Sequence, residues 1–111
     1  MKLYRAISED EYKDFRTDEI FRTAKNTLEA KQFFKSEIAV EEFVKDAIKR
    51  RYRPPYKYIL TIDVDNQCFE SIDSEEQNLD GHDAVTIQED DLPSFNNCVT
   101  FIEEQNVWNS L

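Results

Sequence analysis

His82 is the chain's one histidine, and it stands between Asp80 and Asp83. A neighbouring carboxylate can orient an imidazole as a general base. No nucleophile sits at a readable spacing, however, and Asp80-Gly81 is a strong turn signal, so His82 reads more simply as a turn residue. Gly81, the only glycine, is expected to supply a positive φ there. Cys68 and Cys98 have neither a CxxC nor a Cys/His ligand spacing. The expectation is two free thiols, Cys98 on an apolar strand face, and no metal. Lys49, Arg50, Arg51, Arg53 and Lys57 crowd around Pro54-Pro55. They form either an anion site or a helix end whose bases suit the C-terminal dipole, and the helix end is the simpler reading. Tyr56, Tyr58, Phe33, Phe34 and Trp108 are candidates for a base-stacking pocket, but the strand spacing of Tyr58, Leu60 and Ile62 suits a core. Trp108 follows the last strand as a lid or as an anchor for a partner.

These side chains are positioned by elements that the pattern of apolar residues predicts. KLYRAIS alternates as an opening strand, with Leu3, Arg5 and Ile7 on one face and Tyr4 and Ala6 on the other. Ser8 and Glu11 have the spacing of a capping box for a short acidic helix with Tyr12 and Phe15 inward. Residues 18–35 are ambiguous, with strands around Phe21 and over Leu28–Phe34 both admissible. Ser36 caps the clearest helix, in which Val40, Phe43, Val44, Ala47 and Ile48 turn inward, and Pro54 and Pro55 end it. YKYILTIDV is the clearest strand, with Tyr56, Tyr58, Leu60, Ile62 and Val64 on one face. Residues 66–83 read as a polar loop, Ala84–Gln88 as a strand, EDDLPSFN as a helical turn, and Cys98–Glu103 as a final strand. The order is that of an α+β domain.

A length of 111 residues fits a single domain, with residues 103–111 as a C-terminal tail. Aromatic residues make up 13% of the chain, too many for a disordered segment. No apolar run reaches the ~20 residues of a membrane span. MKLYRAISED turns acidic too early for a signal peptide, so a cytoplasmic location is expected. All fourteen Lys and Arg fall within residues 1–57, which carry a net +3. Residues 58–111 hold thirteen acids and no base, within a total of −10. That balance makes nucleic acid a poor partner and suggests a two-faced domain.

Several segments in order carry a resemblance: Tyr4-Arg5 on the opening strand, a short acidic helix, FFKSEIAVEEFVKDA, a strong strand, and a late strand feeding DLPSFN. Across roughly residues 2–103 the layout is similar to that of small bacterial proteins of the ADP-ribosyltransferase-like superfamily. The resemblance implies two small antiparallel sheets with short helices and an NAD-binding cleft between them. It implies Arg5 as a clamp on the phosphates or ribose, since a guanidinium fork matches pyrophosphate oxygens. Ser36 would support the nicotinamide ribose. A Glu just ahead of Ala84–Gln88 would stabilise the positive charge that develops as nicotinamide leaves. Asp83, one methylene shorter, stands in that catalytic role, so binding of NAD or an ADP-ribose-containing ligand is expected and transfer is doubtful. The alternative is an acidic interaction protein of the immunity-protein or antitoxin type, whose residues 58–111 would steer a basic protein partner.

Overall fold

The computed structural model describes residues 1–18, 20–21 and 30–107. The strands are β1 (Lys2–Ser8), β2 (Lys31–Phe34), β3 (Tyr56–Val64), β4 (Glu75–Leu79), β5 (His82–Ile87) and β6 (Val99–Asn106). The helices are α1 (Glu9–Asp18), α2 (Glu37–Lys49), α3 (Asn66–Glu70) and α4 (Leu92–Cys98). The strands form one antiparallel sheet in the order β4-β5-β2-β1-β3-β6, not the two sheets expected. The sheet is nevertheless thin at its centre. β1 matches β3 along seven register pairs but meets β2 at Tyr4 and Phe34 alone.

Alternation gives each face its own core. Leu3, Ile7, Phe33, Leu60, Ile62, Val85 and Ile87 pack against Phe15 of α1, Phe21, and Leu92 and Phe95 of α4. On the other face Ala6, Phe34, Ile59 and Ala84 pack against Ala39, Val40 and Val44 of α2. Each fully buried aliphatic of this kind contributes about 1.5–3 kcal/mol. Asn96 ties the Phe21 segment to α4, because its amide accepts from the Phe21 N–H and donates to the Phe21 carbonyl, both at 2.8 Å.

α2 begins as its sequence predicts. The Ser36 hydroxyl accepts from the Ala39 N–H at 3.1 Å, which satisfies one of the donors left open at a helix start. Its end departs from the expected inward stripe, because Ile48 is 58% exposed. Tyr56 also departs. It packs on the α2 face while Tyr58 packs on the other, because a bulge opposite Ile7 and Ser8 slips the register by one residue. The segment 66–83 is not a loop: it holds α3 and β4. Asp65 caps α3 by accepting from the Cys68 N–H. β4 pairs with β5 through the two-residue turn Asp80-Gly81, where both residues have positive φ. Residues 103–106 belong to β6 and are not tail, whereas Trp108 lies outside the described residues, as does Leu28 of the ambiguous stretch.

Two expectations are overturned by how the chain folds back. Cys68 of α3 and Cys98 at the end of α4 form a disulfide, with Cα atoms 5.4 Å apart, in place of two free thiols. The turn after β3 carries α3 over the end of α4, a proximity invisible at a separation of 30 residues. The charge halves interleave as well. β1 and β2 lie inside the sheet, while Glu75 and Glu76 lie on one edge strand and Glu103 and Glu104 on the other. Charged edges discourage pairing with another chain.

Candidate functional site

A cleft of about 370 Å³ opens where β1 and β2 part. The ladder stops after Tyr4–Phe34, and two positions along β2 the Gln32 carbonyl accepts from the Arg5 side chain, Nη1 to O at 2.9 Å. Because the gap passes through the sheet, both faces contribute to its wall: Arg5, Glu11 and Gln32, and, on the α2 side, Phe43, Tyr52 and Tyr56.

Arg5 is held by more than one contact. Its Nε and Nη2 donate to the two oxygens of Glu11 at 2.7 and 2.8 Å, a bidentate pair. Its guanidinium lies 5.7 Å from the centre of the Phe33 ring. Lys31 Nζ is 3.5 Å from Glu11 Oε1, so one carboxylate faces two cations. Burial pushes the Glu11 carboxyl up, but hydrogen bonding and charge from Arg5, with Lys31 behind them, outweigh it and hold the group below its ordinary value. Glu11 therefore remains ionised at neutral pH. Three of the five Arg5 N–H groups are engaged, which leaves one on each terminal nitrogen.

Tyr56 and Tyr52 form the opposite wall, their rings stacked at 5.4 Å and 12°. Burial, then the neighbouring Tyr52 hydroxyl, push the Tyr56 phenol up to about 12. It is a neutral donor at physiological pH. α1 is fixed over this region from its far side. Tyr12 stacks on Tyr58 at 3.9 Å and donates to Glu104 at 2.8 Å, while Arg16 reaches the same carboxylate at 3.0 Å. The hydrogen bond to Glu104 raises the Tyr12 phenol above its ordinary value.

Of the three site residues expected from sequence, Arg5 alone lines the cleft. Ser36 is exposed at the start of α2, with its hydroxyl engaged as the cap. Asp83 is exposed on β5, where its carbonyl accepts from the Lys35 N–H, and it is not in the cleft wall. His82 is the first residue of β5, edge-on to Phe34, with Nε2 3.4 Å from Glu42 of α2. Its carboxylate neighbour is therefore neither of the flanking aspartates.

Glu11 and Tyr52 are the cleft residues that sequence reasoning missed, whereas Tyr56 and Phe34, named as stacking candidates, both line it. The Ser8-x-x-Glu11 spacing did mark Glu11, but for a different task. The Glu11 N–H does donate to the Ser8 hydroxyl at 3.4 Å, yet the carboxylate turns to Arg5 instead of back to the helix start. A bulge moves Tyr56 across the sheet to the α2 face, away from Tyr58. Among the described residues no group of His, Cys, Asp and Glu has the makings of a metal site, and no helix is long and apolar enough to cross a membrane. No protein family, curated protein or solved structure matches this chain.

Proposed function

We propose that this chain is a binding domain of the ADP-ribosyltransferase-like type, which takes NAD or another ADP-ribose-containing ligand in the β1–β2 cleft. The observation that carries this reading is Arg5, held by Glu11 and Gln32 at the point where the sheet parts, with two N–H groups still available. A guanidinium fixed in that way offers oriented donors to a pyrophosphate oxygen. The stacked pair of Tyr52 and Tyr56 adds an aromatic surface, and base stacking on such a surface is worth about 1–3 kcal/mol. The near-division of the sheet into two three-stranded halves supports the same reading. The proposal stops at binding, since Ser36 and Asp83, which transfer would require, are not in the cleft wall.

The test is a thermal-melting titration with NAD, ADP-ribose and nicotinamide, on the wild type and on Arg5→Lys and Tyr52→Ala. Ligand at ~100 times its dissociation constant adds about 2.7 kcal/mol, which in a domain of this size raises Tm by about 10 °C. A rise with ADP-ribose that both variants lose supports the proposal, and a flat trace at millimolar ligand overturns it. A second reading is an acidic binder of the immunity-protein or antitoxin type. It is favoured by the net charge of −10 and by the acids on both edge strands, Glu75 and Glu76 on β4 and Glu103 and Glu104 on β6. Its association with a basic protein partner would slow steeply as salt is raised.

A further inference from the structure

A second cavity, of about 430 Å³, lies where α2 meets the ends of β3 and β6. It shares Tyr52 and Tyr56 with the cleft but is otherwise walled by Val44, Ala47, Ile48, Pro55 and Val107, so its lining is largely apolar. Arg51, Arg53 and Lys57 complete the wall. The volume lies within the ~300–1,000 Å³ common for small-molecule sites.

Two features of this cavity are not explained by folding alone. The first is the backbone at Arg51. α2 ends in a Schellman motif, in which the Tyr52 N–H donates to the Ala47 carbonyl at 2.9 Å and the Arg51 N–H to the Ile48 carbonyl at 3.1 Å. That motif places residue 51 in the left-handed region, with φ 54°. Glycine is the residue for such a position, because a Cβ there is sterically disfavoured. This chain instead holds an arginine there, on the wall of a cavity. The second is the charge. In a chain of net charge −10, none of Arg51, Arg53 and Lys57 makes an ion pair among the described residues. The helix dipole does not account for Arg53 and Lys57, which lie beyond the last turn of α2 and its C-cap at Arg50. Ile48 adds to this: an apolar residue at a core-like helix position is left 58% exposed beside the cavity.

We propose that this cavity binds a small carboxylate with an apolar body, of the medium-chain carboxylate class, its chain against Val44, Ile48 and Val107 and its headgroup among Arg51, Arg53 and Lys57. The inference stands independently of what occupies the β1–β2 cleft. Calorimetric titration with octanoate, octan-1-ol and acetate separates the contributions. Octanoate should bind more than tenfold tighter than octanol, the worth of a charge-assisted contact, and acetate should not bind measurably. Arg51→Gly should lower octanoate affinity at least tenfold with no loss of melting temperature, because glycine suits the backbone there. Arg53→Gln/Lys57→Gln should do the same without touching the helix end. Equal affinity for octanoate and octanol would overturn the proposal, since the cations would then contribute nothing. Binding of acetate as tight as that of octanoate would also overturn it, as would undiminished octanoate binding in Arg51→Gly.

Discussion

Reduction of the Cys68–Cys98 bridge is the perturbation whose cost can be worked most directly from the fold. The bridge closes a loop with a sequence separation of 30 residues. The chain-entropy relation then gives about 3.6 kcal/mol at 25 °C for the freedom it removes from the unfolded chain. A domain of this size changes Tm by roughly 4 °C per kcal/mol, so reduction should lower Tm by about 12–15 °C. Reduction is a cleaner perturbation than substitution. Cys98 is 1% exposed and packs in the same core as Leu92 and Phe95, so replacing it would add a cavity or a buried hydroxyl to the entropic effect. The assay is calorimetry of the oxidised protein and of protein held in a phosphine reductant, with thiols counted by alkylation and mass in each sample. Loss of both thiols to alkylation before reduction would mean that the bridge is not formed. A reduced sample melting within about 2 °C of the oxidised one would refute the entropic reasoning, because the thiols and their packing are retained while the loop is opened. The outcome bears on location too, since a reducing cytoplasm would hold the pair as thiols and leave the chain in its less stable form.

Glu11→Gln should destabilise the domain by about 2 kcal/mol at pH 7, because two cations lose a partly buried partner. The Glu11 carboxyl is held below its ordinary value near 4.5. Its stabilisation is therefore complete above that value and is lost as pH falls through the lower, folded one. Urea unfolding of wild type and Glu11→Gln should converge in acid, and a gap that stays constant down to pH 2.5 would count against the assignment. Asn96→Ala removes both side-chain hydrogen bonds to the Phe21 backbone, at a cost of about 2 kcal/mol. Hydrogen exchange at the Phe21 amide should then speed up relative to the sheet interior, and unchanged protection would show that the contact is dispensable. Arg51→Gly should stabilise the chain by about 1 kcal/mol through relief at the left-handed position, read as a rise in the urea midpoint at constant slope.

Local chemistry made much of the fold legible in the sequence. The cap at Ser36, the turn at Asp80-Gly81 and the alternation of β1 are each decided within a few residues, and each is found where the sequence places it. The failures are non-local. β4 reads as Glu-Glu-Gln-Asn-Leu, with no apolar alternation, because it is an edge strand that takes its shape from β5 and not from burial. The disulfide depends on two short helices meeting across 30 residues. The single sheet is joined between β1 and β2 by one register pair, Tyr4 and Phe34, which no local pattern of residues announces.

For the cleft, the sequence was informative about the type of residue and uninformative about direction. The sequence puts Arg5 on the first strand, where it lies, and marks its neighbour Glu11 by the spacing from Ser8. What periodicity does not encode is a one-residue bulge, and the bulge is what turns Tyr56 from the Tyr58 face to the α2 face and into the cleft. The same limit applies at the end of α2. By sequence the basic run 49–57 reads more simply as a solvated helix end than as an anion site. The proposal of an anion site rests instead on a backbone angle at Arg51 and on Arg53 and Lys57 making no ion pair among the described residues. A helix end that served only its own dipole would gain from glycine at residue 51 and needs no base beyond Lys49, already in its last turn. Here residue 51 is arginine, and Arg53 and Lys57 lie beyond that turn beside an apolar wall.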